Sequence, residues 1–157
     1  MSRPVEIIHK PGFPIVHFIA RNMREWDRRE IFALRWDDDP AGVARDVMLS
    51  GETSWAALVD GIPAVAFGTL ALWPGVWSMW AFGTDDFRHA VIRVTRMIRR
   101  VIIPGMVRAG ARRAQAYSMA GHDDAQRWLE SWGARRESVA PGFGRGGEDY
   151  YLYVRTP

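Results

Sequence analysis

Three stretches of this sequence hold residue types that could do chemistry, and each also has a plainer physical account. Asp37-Asp38-Asp39 offers three adjacent carboxylates, the hard oxygen ligands that a divalent cation takes. Asp39 before Pro40 is, however, the pattern of an N-cap followed by a first-turn proline, and a helix dipole favours acids at that end, so no metal is expected. Gly142-Phe-Gly-Arg-Gly-Gly147 has the glycine density of a phosphate loop but lacks the Lys-Ser/Thr ending and a following helix. It is expected to be a hairpin loop before the last strand. Arg88, Arg93, Arg96, Arg99 and Arg100 share the polar side of an amphipathic run and could bind phosphate or nucleic acid. A solvated helix face accounts for them, and nucleic acid is not an expected partner.

Composition narrows the chemistry further. The absence of cysteine excludes disulfides, thiolate metal sites and a cysteine nucleophile together, and suits an intracellular product. Eighteen acidic residues stand against 21 Lys plus Arg, a mixed surface that by itself points to no polyanion. With 48% hydrophobic residues in 157, the chain can bury a core as one domain over residues 1–157. Met1 to Lys10 lacks an apolar stretch of signal-peptide length, and no later run is long enough to span a bilayer. The expectation is a soluble protein with no membrane partner. The eight tryptophans are expected in the core or at its margin.

These residues must be positioned by elements that the periodicity outlines. Val5 to His9 alternates and meets Lys10-Pro11-Gly12, which predicts a first strand. Helical patterns follow over Phe13 to Ala20, Met23 to Arg35 and, after Asp39-Pro40, up to Ser50. Three strands come next, Trp55 to Val59, Ile62 to Leu72 and Val76 to Phe82, separated by Asp60-Gly61 and Trp73-Pro74-Gly75, an antiparallel meander. Phe87 to Ile102 is the clearest amphipathic helix, and Pro104-Gly105 is expected to interrupt it. A strand over Arg112 to Met119, a helix opened by Gly121-His122-Asp123 and closed at Gly133, and a strand over Tyr150 to Val154 complete the order.

Strand, helices, meander, helix, strand, helix, strand is an order that resembles the GNAT acyl-CoA N-acyltransferases. The resemblance implies an α/β (α+β) fold with a central mixed, mostly antiparallel sheet flanked by helices. It also implies that the fourth and fifth strands splay apart, that acetyl-CoA lies in the gap, and that the helix after the fourth strand receives the pyrophosphate. More narrowly, the chain resembles a GNAT-like family of bacteriophage proteins that includes the internal virion protein of short-tailed phages. Met23-Arg-Glu-Trp-Asp-Arg-Arg-Glu30, Ser54-Trp-Ala-Ala-Leu-Val-Asp-Gly-Ile-Pro63 with Gly68, Val76-Trp-Ser-Met-Trp-Ala-Phe-Gly-Thr-Asp85 and Arg127-Trp-Leu-Glu-Ser-Trp-Gly133 carry that likeness. It implies a virion-associated or assembly-related protein acting through phage or host proteins, in the cytoplasm of an infected bacterium or in the virion.

On the same resemblance, Trp80, Ala81, Phe82, Gly83, Thr84 and Arg88 are the cofactor-binding positions. The active family's small residues at the helix start align with Val91 and Arg93, and Asp85 and Asp86 place carboxylates near a pyrophosphate, while also serving as helix caps. In the later motif His122, Ala125, Leu129, Glu130 and Gly133 keep the spacing, but Leu129 replaces the Tyr that protonates the leaving thiolate, and leucine has no proton to give. His122, Tyr117, Tyr150 and Tyr151 are the alternative acids, and Glu30 and Glu52 the bases implied for the acceptor amine. Two expectations stand side by side: a degenerate GNAT-like protein with no cofactor, and an acetyl-CoA-dependent N-acetyltransferase. The gap beside Trp80, Ala81 and Phe82 is expected to be partly filled by Trp or Met side chains.

Overall fold

The computed structural model describes residues 2–157, apart from the side chain of Glu52. A short strand β1 (Val5–His9) leads into α1 (Phe13–Arg21), α2 (Glu25–Phe32) and α3 (Pro40–Leu49). The meander is β2 (Ser54–Val59), β3 (Ile62–Trp73) and β4 (Val76–Gly83). Its turns need left-handed backbone, which Asp60, Gly61 and Gly75 supply. Then come α4 (Phe87–Met97), a π-helical segment over Ile98–Ile102, and α5 (Ile103–Arg108). The chain closes with β5 (Arg113–Met119), α6 (Asp123–Ser131), β6 (Arg135–Ala140) and β7 (Tyr150–Arg155).

The seven strands form one sheet in the order β1-β2-β3-β4-β5-β7-β6, and β4 with β5 is the parallel pair. Side chains alternate across the strands, so the sheet has two cores. Ala56, Leu58, Ala66 and Phe82 pack against α1 and α3 on one face. Val65, Phe67, Phe87, Val94, Leu129 and Trp132 are in the other core, with α4 and α6. Ala56 and Ala57 of β2 and Ala64 and Ala66 of β3 are fully buried, which lets the helices sit close to the sheet.

Two elements depart from the sequence reading. Pro104 does not end the long helix: it occupies the first turn of α5, where a missing N–H costs nothing, and the π-helical segment before it absorbs the change in hydrogen bonding. Residues 87–108 therefore run as one helix. The strand β6 has no counterpart in the periodicity, because it is an edge strand exposed along nearly its whole length. Its Arg135, Arg136 and Glu137 keep that edge charged. Residues 141–149 form the hairpin connection from β6 to β7.

The parallel pairing of β4 with β5 ends early. Val76, Trp77 and Ser78 align with Arg113, Ala114 and Gln115, and beyond them the strands diverge. Each strand then presents an unpaired backbone edge inside the fold, where N–H and C=O groups need partners.

Candidate functional site

The diverging strand ends are clasped by α2. Asp27 and Glu30 are three residues apart and so share one face of that helix. Asp27 Oδ2 accepts the Gly83 N–H of β4 at 2.7 Å, and the Arg24 N–H donates to the Gly83 carbonyl at 2.9 Å. Glu30 Oε2 accepts the Met119 N–H of β5 at 2.8 Å, the Ser118 hydroxyl at 3.2 Å and His122 Nδ1 at 2.9 Å. One helical face thus satisfies the last amide of each strand.

His122 lies between the two carboxylates. Its ring is 3% exposed and stacks on Trp26 at 5.5 Å between centroids. Nδ1 meets Glu30, and Nε2 lies 3.5 Å from Asp27 Oδ1. The Gln126 side chain donates to the Met119 carbonyl, and the Tyr150 hydroxyl donates to the Glu30 carbonyl at 2.6 Å. Burial pushes the Tyr150 phenol well above its ordinary value, so it serves as a fixed donor and not as a proton shuttle.

Burial also pushes the Asp27 carboxyl up, against the opposing pull of Arg24, of the Gly83 N–H and of His122. Arg24 Nε lies 2.8 Å from Asp27 Oδ1. A carboxyl that binds its proton more readily folded than unfolded makes the protein more stable as pH falls from that raised value towards the ordinary 3.8. Below that range the contribution is constant. Asp27→Asn is expected to flatten this segment of the stability profile, measured by urea unfolding across a pH series; an unchanged slope in the variant would refute the assignment.

Behind the clasp is a cavity of about 300 Å³, bounded by β4, β5, α2, α6 and the π-helical segment. Ladder alternation fixes its backbone walls. Thr84 N–H points to β3, where it meets the Ala64 carbonyl, and Gly83 N–H points into the gap. Ala81, two residues earlier, therefore turns its N–H and C=O into the gap as well. By the same alternation Tyr117 of β5 faces it from the other side, since Met119 N–H points to Glu30 and Ala120 N–H to Asp149 on the β7 side. Ile98, Ile102, Trp128 and Trp132 form the apolar end. Trp132 is 5% exposed, and its buried indole Nε1 has no hydrogen-bond partner among the described residues, an arrangement that costs about 1–3 kcal/mol. The gap expected to be partly filled is instead open, with Met79, Trp80, Trp128 and Trp132 as its walls.

Of the residues singled out in the sequence, the structure brings Glu30, His122, Trp80, Ala81, Tyr117, Ala125 and Leu129 to this cavity. The Glu52 side chain lies outside the described residues. Phe82 faces the opposite core and stacks on Trp80 at 5.8 Å. Gly83 is held by Asp27 and Arg24, and Thr84 begins the turn into α4: its carbonyl accepts the Phe87 N–H and its hydroxyl the Asp86 N–H. Capping at that turn belongs to Thr84 and not to the carboxylates, because Asp86 is drawn away to Arg3 at 2.9 Å. Arg88 is exposed and bonds His89. The stretch from Arg88 to Arg93 lies within α4, so the loop before the helix is only Thr84, Asp85 and Asp86. Tyr117 stacks on Phe143 at 4.7 Å, and Tyr151 lies under the Arg136 guanidinium.

In the acidic triplet, Asp37 accepts the Asp39 N–H, Asp38 pairs with Arg145, and Asp39 caps α3 and pairs with Arg45. Asp27, Arg24, Ser118 and Trp132 were not among the sequence candidates. The i, i+3 spacing of Asp27 and Glu30 was the available signal.

Over 98–99% of its length the chain matches solved acetyltransferase structures in fold. The fold is that of the GNAT acyltransferases. A ribosomal-protein-S5-alanine acetyltransferase from Vibrio fischeri matches with a TM-score of 0.72 and 13% identity, over 99% of this chain and 93% of that one. A ribosomal L7/L12 alpha-N-protein acetyltransferase in complex with coenzyme A matches with a TM-score of 0.74 and 12% identity, over 99% and 95%. The ribosomal-protein-S18-alanine N-acetyltransferase from Escherichia coli matches at 0.67 and 16% identity, over 98% and 94%. No protein-family model and no curated protein matches the chain. At such identities the GNAT likeness is one of fold, and chemistry has to be argued from the site. No helix among the described residues is long and apolar enough to cross a membrane.

Proposed function

We propose that this chain is an acetyl-CoA-dependent N-acetyltransferase whose proton transfers run through His122. The observation that carries the reading is the open cavity between β4 and β5, with free backbone edges at Ala81 and Tyr117 and a buried imidazole at one end. A pantetheine arm carries amides that pair with such edges as an added strand does. The partnerless Trp132 indole and the apolar end of the cavity suit the same group. Arg24, which lies over the Phe87 ring at the start of α4, is the cation at the phosphate end.

Acetyl-CoA supplies an acyl thioester, whose carbonyl carbon an amine attacks and whose sulfur leaves as a thiolate. His122 Nε2 takes the amine proton, while Glu30 on Nδ1 fixes the ring and Asp27 stabilises the imidazolium. The same proton then goes to the thiolate, so the chemistry needs no Tyr at position 129.

A second reading rests on a different observation. The Gly83 N–H and C=O, the backbone groups nearest α4, are already bonded within the protein, and α4 carries Val91 and Arg93 where the family's enzymes have small residues. On that reading the chain is a phage-encoded, virion-associated protein that uses the fold for contacts with phage or host proteins. Calorimetric titration with acetyl-CoA separates the two. One-to-one binding is expected, with a gain of about 2.7 kcal/mol in stability at a hundredfold excess over Kd, or roughly 5–10 °C in Tm. An unmoved Tm and no heat at millimolar ligand would favour the second reading.

A further inference from the structure

We infer that the outer face of the helix over residues 87–108 is a docking surface for the phosphate backbone of a nucleic-acid duplex, on the far side of that helix from the cavity. The inference is independent of the acetyltransferase reading. This helix holds Arg88, Arg93, Arg96, Arg99, Arg100 and Arg108 and no Asp or Glu. All six are exposed, while Val94, Ile98 and Ile102 on the inner side are buried.

Elsewhere in the described residues, seven arginines are neutralised by acids: Arg3, Arg24, Arg35, Arg45, Arg113, Arg127 and Arg145 each meet a carboxylate. Among the described residues, none of the six helix arginines does so. Six of the chain's 21 basic residues lie on this acid-free helix, which leaves the remainder of the chain, with its 18 acids, net acidic. Charge is therefore segregated, not scattered, and a face of unneutralised positive charge attracts a polyanion over a Debye length.

Arginine favours phosphate over other anions because its planar fork donates two parallel hydrogen bonds to phosphate oxygens. Arg93, Arg96 and Arg100 follow i, i+3, i+7 spacing and form one row. Arg88 to Arg108 covers about 30 Å along the axis, close to one turn of duplex, about 34 Å. The exposed aliphatic residues on this helix, Ile92, Val101 and Val107, are scattered and make no continuous apolar face for insertion into a bilayer.

The test is fluorescence anisotropy of the full chain with a labelled 20-base-pair DNA duplex and a 20-nucleotide single-stranded RNA, at salt from 50 to 200 mM. Four phosphate contacts give a slope of log K against log salt near −3.6 for the duplex, or on the order of a 100-fold loss across that range. The Arg93→Glu/Arg96→Glu/Arg100→Glu variant is expected to lose at least tenfold in affinity and to shed about 2.7 from the slope. Its glutamine counterpart loses less. A control with the same net charge, Arg45→Glu/Arg127→Glu/Arg145→Glu, is expected to bind within about threefold of the parent. Circular dichroism confirms that each variant is folded. Salt-independent binding, no binding at 50 mM salt, or equal losses in the two glutamate triples would overturn the inference. So would retention on anionic phosphatidylserine vesicles without binding to either nucleic acid. Binding to the single-stranded RNA without binding to the duplex would overturn it too.

Discussion

Glu30→Ala is expected to lower the unfolding free energy by about 3–5 kcal/mol. One carboxylate oxygen accepts from Met119 N–H, Ser118 Oγ and His122 Nδ1. Removal leaves the end of β5 and a buried imidazole without acceptors, and each stranded donor costs about 1–3 kcal/mol. For a chain of this size the loss corresponds to roughly 6–20 °C in Tm. Glu30→Gln keeps an acceptor oxygen and should lose less than half as much. On the proposed chemistry the same alanine variant also frees the His122 ring, and acetyl transfer falls by roughly 100-fold or more. Chemical denaturation of both variants checks the first effect and steady-state kinetics the second. Equal stability of the alanine and glutamine variants would show that the clasp does not depend on the acceptor oxygen.

Gly68→Val is expected to cost about 3 kcal/mol through overpacking. A Cβ at this position would press on the Thr53 carbonyl and lie 2.6 Å from Trp80 Cζ2. The carbonyl is backbone and cannot swing aside, and Trp80 is held between Phe82 and the cavity wall. Relief requires β2 and β3 to shift. Since Gly68 also borders the cavity, the variant should lose acetyl-CoA affinity beyond what its lower stability explains. A thermal melt combined with a titration below the transition separates the two losses; an unchanged Tm would mean that the local packing is looser than described.

The fold was legible in the sequence where periodicity and turn chemistry agree. Asp60-Gly61 and Pro74-Gly75 mark the meander, and the stripe from Phe87 to Ile102 marks α4 with the π-helical segment after it. What escaped was set by tertiary context. Arg135 to Ala140 buries almost nothing, so no alternation marks it, and its strand character comes from pairing with β7. Pro104 reads as a stop because the sequence does not show the π-helical segment that accommodates it. At the site, Glu30 and His122 were visible as candidates through the family resemblance. Asp27 was not, because its importance lies in burial and in the Gly83 amide 56 residues away. The phage resemblance rests on four sequence segments, whereas the solved structures speak to the GNAT fold alone.

The early end of the β4 and β5 pairing has a mechanical consequence. The strands β1 to β4 and the strands β5 to β7 are joined within the sheet by three residue pairs, and past that seam by a single turn of α2. Rise along a helix is about 1.5 Å per residue, so the attachments at Asp27 and Glu30 hold the two halves a fixed step apart, as a rivet holds two plates. Any breathing of the sheet about its seam has to break the attachment at Asp27 or the one at Glu30, and the amide proton so released, that of Gly83 or of Met119, would meet solvent. The width of the cavity is thus not a property of either strand. It is set by a helix that belongs to neither half of the sheet.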